Sequence, residues 1–208
     1  MKNLCDGTNT CSTNPIPFTF GIGDPCLGTY KYLTVAYKCI IPSNYWPMSD
    51  LKDVVGGANL YGGSSYSFTY DRICSPNSAI YFNNGYLQVP PGVYFSGNFT
   101  FIAWIYLKSY QAYSRVFDFG AVNGVGGNNI LLMMSDTSSN LIGMVYATPA
   151  AASSVGPATI QLNQWYQVAY VVRSNTGYIY LNGILIATST SGSPNNVQRI
   201  YNYIGKPS

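Results

Sequence analysis

Tyr178-Ile179-Tyr180-Leu181-Asn182-Gly183-Ile184-Leu185-Ile186 sets Asn-Gly between two apolar-alternating runs, the strongest short-range signal for a tight hairpin with a type I′ turn. Period-2 segments continue away from it on both sides. Upstream they cover residues 67–70, 79–82, 86–89, 99–107, 115–119, 130–134, 141–146 and 165–173, and downstream residues 200–204. These runs are rich in Val, Ile, Tyr and Phe and are separated by Gly, Pro and Asn, which predicts an all-β chain folded as an antiparallel β-sandwich. No segment carries a 3.6-residue apolar period, and residues 50–55 predict a helical turn at most. Residues 147–156, small side chains with a single Pro, predict an exposed loop.

Composition narrows the chemistry. Charged residues make up 8% of the 208 positions, against roughly a quarter in ordinary globular domains. All seven acidic residues are Asp, and the chain contains neither Glu nor His. Ser-His-Asp and Cys-His arrangements, His-based metal sites and imidazole acid–base chemistry are therefore excluded, and no enzyme activity is expected. A net charge of +3 spread over ten scattered Lys and Arg forms no basic stripe, so nucleic acid is not an expected partner. No apolar run approaches the length of a membrane span, so membrane insertion is not expected either. Five cysteines in a β-rich, Asn/Ser/Thr-rich chain fit an oxidising, secreted or extracellular setting, and their odd number leaves at least one without a partner in the chain. The start of the chain lacks a signal-peptide pattern, which predicts a processed or partial piece of a longer precursor.

Near the N-terminus, Cys5-Asp-Gly-Thr-Asn-Thr-Cys11 is followed by Asp24-Pro25-Cys26-Leu27-Gly28-Thr29-Tyr30-Lys31-Tyr32-Leu33 and an alternating run over residues 34–39. This resembles the second half of a galactose/rhamnose-binding lectin module of the sea-urchin-egg-lectin (SUEL) type. The resemblance implies a Cys5–Cys11 disulfide and a sugar site in which Lys31 donates to sugar hydroxyls, Gly28 and Thr29 let the backbone approach, and Asp24 braces the loop. The first half of such a module has no counterpart here, so residues 1–41 are expected as a partial lectin-like segment; the alternative for Lys31 is a solvated residue on a retained scaffold loop. The family partners of Cys26 and Cys39 would lie upstream of Met1. Cys74 then has three readings: a bridge to Cys26 or Cys39, a bond to another chain, or a buried thiol.

Residues 42–47, Pro-Ser-Asn-Tyr-Trp-Pro, read as a linker. Beyond it, Phe95-Ser-Gly-Asn-Phe-Thr-Phe-Ile-Ala-Trp104-Ile, Ser114-Arg-Val-Phe-Asp118-Phe-Gly, Leu162-Asn-Gln-Trp165-Tyr-Gln-Val-Ala and Gly177-Tyr-Ile-Tyr-Leu-Asn-Gly183 follow one another. In that order they resemble the strand motifs of laminin G-like, concanavalin A-like jelly rolls, which assigns residues 48–208 to such a domain. The resemblance implies Ca²⁺ as the only cofactor to consider, held through Asp118 with Asp136 and Asn128-Asn129 as neighbours; the alternative is a buried Asp that braces a turn. Jelly-roll glucanases of this family rely on paired Glu, absent here. Trp104 and Trp165 are expected in the core, and Tyr166, Tyr170, Tyr178 and Tyr180 over a sheet face. Asn98-Phe99-Thr100 is an N-glycosylation sequon. Family members continue past Asn202-Tyr-Ile-Gly with one further strand, so an unpaired sheet edge is expected.

Two modules short of strands, with uncharged edges, predict an extracellular structural protein that assembles with copies of itself by strand addition into a fibre or surface coat. The alternative is a carbohydrate-binding fragment of a larger adhesion protein, with galactosides or rhamnosides as ligands.

Overall fold

The alternation of side chains along each segment becomes layering in the computed structural model, which describes residues 10–13, 33–36, 41–123, 127–134, 139–147 and 153–206. The chain divides into two units, Met1–Ser43 and Asn44–Ser208. In the first, strand β1 (Thr10–Thr13) pairs antiparallel with β2 (Leu33–Ala36), placing Cys11 opposite Val35. Cys5, Asp24, Cys26, Gly28, Thr29, Lys31 and Cys39 lie outside the described residues.

The second unit is the sandwich. Its strands are β3 (Tyr61–Thr69), β4 (Ala79–Val89), β5 (Phe99–Tyr106), β6 (Arg115–Gly120), β7 (Ile130–Met134), β8 (Asn140–Val145), β9 (Ser153–Thr159), β10 (Trp165–Arg173), β11 (Thr176–Leu181), β12 (Ile184–Thr190) and β13 (Tyr201–Ile204). They form a seven-stranded sheet in the order β3-β4-β13-β6-β7-β8-β9 and a four-stranded sheet in the order β12-β11-β10-β5. Every pairing is antiparallel. The fold is thus the expected all-β sandwich of jelly-roll type. One apolar core lies between the sheets, with Leu87, Val89, Phe117, Ile130, Leu132 and Leu141 from the larger and Val168, Tyr170, Val172 and Ile179 from the smaller. Tyr170 is fully buried, and its hydroxyl lies 3.2 Å from that of Ser191.

Several expectations are corrected. The second unit begins inside residues 42–47: Asn44 Nδ2 and Tyr45 N donate to the Asp53 carboxylate at 2.6 and 2.8 Å, and Trp46 Nε1 donates to Ala58 O at 2.8 Å. Residues 79–82 and 86–89 are one strand, β4, with Asn84 at φ 52° where the β3–β4 register shifts. Residues 153–156, expected in a loop, open β9. This strand lies at a sheet edge, where Pro157 removes no required ladder bond.

Trp104, expected in the core, is 44% exposed. In β5 the odd-numbered residues Phe99, Phe101, Ala103 and Ile105 pack on the core, which turns Ile102, Trp104 and Tyr106 outward. Where both sets are apolar, alternation alone does not say which set is buried. Trp165 stands opposite Tyr106 on the same outer face, their rings 5.4 Å apart. Cys74 is an exposed free thiol rather than a buried one. The final strand β13 is interior to its sheet, bonded to β4 on one side and β6 on the other. No described helix is long and apolar enough to cross a membrane.

Candidate functional site

The outer face of the seven-stranded sheet gathers tyrosines because two short sequences alternate apolar with aromatic or polar residues. In Gly85-Tyr-Leu-Gln-Val89, Leu87 and Val89 enter the core, so Tyr86 and Gln88 point out. In Tyr201-Asn-Tyr-Ile204, Asn202 and Ile204 are buried, so Tyr201 and Tyr203 point out. Strand register then aligns residues distant in sequence: Tyr61 pairs with Gln88, Gln88 with Tyr203, and Tyr203 with Asp118. Four strands at their usual spacing make this row roughly 14 Å long.

A depression of about 170 Å³ opens on it, lined by Tyr61, Gln88, Ile200, Tyr201, Asn202 and Tyr203. Tyr61 is 45% exposed, and Tyr86 meets the Tyr203 ring edge-on at 5.5 Å. Gly62 leaves room for the amide, since a Cβ there would lie 3.1 Å from Gln88 Oε1.

Charge enters at the Asp118 end. Asp118 is buried in mid-strand; its Oδ1 accepts from Asn129 Nδ2 at 2.8 Å, and its Oδ2 lies 3.1 Å from Arg115 Nε. Burial pushes the Asp118 carboxyl up, opposed by the Asn129 hydrogen bond and by the charges of Arg115 and Lys206. Lys206 Nζ rests 4.1 Å from the centre of the Tyr203 ring. Burial pushes this ammonium down, Asp118 opposes the shift and Arg115 adds to it. Burial raises the Tyr203 phenol, with Tyr86, Asp118, Tyr201 and Tyr61 adding to the effect, so the whole cluster shares one local environment. Tyr146 is raised by burial and by Asp118, with Arg115 opposing. Ring faces for stacking beside amide, phenol and ammonium groups form a surface suited to a polyhydroxylated ligand.

Of the residues singled out in the sequence, only Asp118 belongs to this cluster. Among the described residues no three His, Cys or Asp side chains gather as a metal site. Asp136 lies outside them. Asn98 is exposed, its Oδ1 accepting from Ser174 N at 3.0 Å. Tyr61, Tyr86, Gln88, Tyr201, Tyr203 and Lys206 carried no motif. For Tyr86, Gln88, Tyr201 and Tyr203 the available signal was their position between core residues in strands β4 and β13. The outer face of the four-stranded sheet is aromatic too, and there Arg72 sits 4.6 Å over the Trp104 ring.

The sequence profile described as the concanavalin A-like lectin/glucanases superfamily matches residues 82–208. The chain belongs to this superfamily. Like other concanavalin A-like lectin/glucanase proteins it builds two facing antiparallel sheets, and it carries neither Glu nor His. Its fold is similar to domain 4 of AbnA, a GH43 extracellular arabinanase from Geobacillus stearothermophilus solved with arabinotriose, at TM-score 0.51 and 15% identity, covering 76% of this chain and 79% of that one. A separate likeness is to L-rhamnose-binding lectins: SML of Scomberomorus niphonius is 51% identical over 43 residues, 21% of this chain and 20% of that lectin. CSL1 of Oncorhynchus keta is 45% identical over 40 residues, 19% of this chain and 13% of that lectin. The chain spans about a fifth or less of the length of these two relatives.

Proposed function

We propose that this chain binds carbohydrate, using the outer face of the seven-stranded sheet as a stacking and hydrogen-bonding platform. The observation that carries the reading is the row Tyr61–Gln88–Tyr203, which lines a depression in a domain of a lectin superfamily. Sugar C–H faces would stack on the tyrosine rings while Gln88 and the phenols exchange hydrogen bonds with hydroxyls. Likeness to two L-rhamnose-binding lectins supports a second site in the N-terminal unit, with Lys31 as donor and Gly28, Thr29 and Asp24 shaping its loop, and with galactosides or rhamnosides as ligands. Glycans are the expected partners and an extracellular setting the expected location.

A glycan array probed with the intact chain tests both sites. Tyr203→Ala is expected to abolish one set of signals while the sandwich stays folded, and Lys31→Ala to remove galactoside or rhamnoside signals. A blank array with the parent chain would overturn the reading.

Self-assembly is a second reading with one supporting observation. Strand β12 lies at a sheet edge, is uncharged, and exposes Ile184, Leu185 and Ile186 at 65%, 46% and 47%.

A further inference from the structure

Resting on the carbohydrate reading, we propose that the ligand of the seven-stranded face is an anionic glycan, whose carboxylate or sulfate group is held by Lys206. The charged groups facing Lys206 are Asp118 and Arg115. Asp118 is already engaged on one oxygen by Asn129 and on the other by Arg115. Two cations thus face one carboxylate, and that carboxylate is committed elsewhere.

Lys206 is half-buried against Tyr203, and no described residue supplies a hydrogen-bond acceptor for its ammonium. A cation–π contact satisfies the ring-facing side of the group and leaves its remaining N–H donors to be met from outside. The ammonium keeps solvent access, so water meets these donors in the free chain and an incoming anion would take the place of that water. Tyr203 connects the two features, because its ring lines the depression beside Gln88 and carries Lys206 on its face. A sugar seated in the depression therefore places a neighbouring substituent at the ammonium. Charge-assisted hydrogen bonds of this kind make an acidic oxygen the preferred substituent over a hydroxyl.

Isothermal titration of the full chain carrying Lys31→Ala, which removes the N-terminal galactoside site, tests this with matched pairs: oligogalacturonate against its methyl ester, and a galactose-6-sulfate oligosaccharide against its desulfated form. At least about tenfold tighter binding of the charged member is expected in one or both pairs, the gap shrinking with added salt. The pair that shows the gap identifies carboxylate or sulfate as the recognised group. Lys206→Gln is expected to close the gap between charged and neutral members, while Tyr203→Ala removes binding of both members. Equal affinity within both pairs, or a gap that survives in Lys206→Gln, overturns the proposal and leaves the carbohydrate reading intact. Binding of neutral array glycans with no affinity for either charged probe also overturns it. No binding to any glycan removes the carbohydrate reading itself.

Discussion

At the scale of the residue, two buried charged groups of the sandwich, Arg199 and Asp53, are satisfied mainly by backbone rather than by opposite charge. Arg199 is fully buried, yet its guanidinium meets only carbonyl oxygens: Nε donates to Asn128 O at 2.9 Å, Nη1 to Phe95 O at 2.8 Å and Nη2 to Asn195 O at 3.3 Å. Burial pushes its pKa down to about 10, so it remains charged at neutral pH and ties three loops together. Asp53 is the converse case, 5% exposed and accepting from Asn44 Nδ2 and from the backbone N–H groups of Tyr45, Val55, Gly56 and Ala58. Burial alone would raise its carboxyl, but these donors outweigh it and hold the group well below the ordinary carboxylate range. A carboxyl depressed in the folded state adds stability that is present above its unfolded value of about 4 and lost as pH falls below it. Asp53→Asn is therefore expected to cost about 2–3 kcal/mol at pH 7 and to flatten the loss of stability below about pH 4, read from urea midpoints. A parent and variant with parallel acid limbs would contradict this. Asp118, raised by burial, contributes in the opposite sense, and comparing the variant with the parent cancels it.

At the scale of the element, local chemistry and packing rank two glycines differently. Gly183 completes the hairpin at φ 80° after Asn182 at φ 51°, and a Cβ on it would meet nothing within 4 Å. Gly143 in β8 shows no turn signal, yet a Cβ there would lie 2.6 Å from the buried Tyr170 ring. Gly183→Ala is expected to cost about 1 kcal/mol, from backbone conformation alone. Gly143→Ala is expected to cost about 2–3 kcal/mol, since the ring is held by core neighbours and by Ser191 and moves only at the expense of packing. Thermal melts of the two variants check the order. The hairpin was legible because it is encoded within nine consecutive residues, whereas the Gly143 contact joins strands from opposite sheets. The same contrast explains β9, whose Ser, Gly and Pro residues carry no strand signal and whose conformation comes from pairing with β8.

At the scale of the whole molecule, the two sheets divide the surface by chemistry. One outer face combines tyrosines with amide and charged groups, and the other exposes Ile102, Trp104 and Tyr106. If β12 at the edge of the smaller sheet mediates assembly, sedimentation of the intact chain will show association that rises with concentration and disappears in Ile186→Lys, because a charge on the edge blocks strand addition. A parent chain that stays monomeric throughout the concentration series would remove the assembly reading and leave the binding function.

Period-2 alternation and the Asn-Gly turn are local properties, and they determined the all-β class, the antiparallel pairing and most strand positions without reference to the rest of the chain. The composition likewise removed imidazole and glutamate from the chemistry open to the chain. Only the tertiary structure decided which apolar stripe of β5 is buried, that Asp118 lies in mid-strand under Arg115 and Asn129, and that Tyr61, Gln88, Tyr203 and Asp118 form one row. Those outcomes depend on register between strands far apart in the chain, and pairing at that range is set by how the whole core closes.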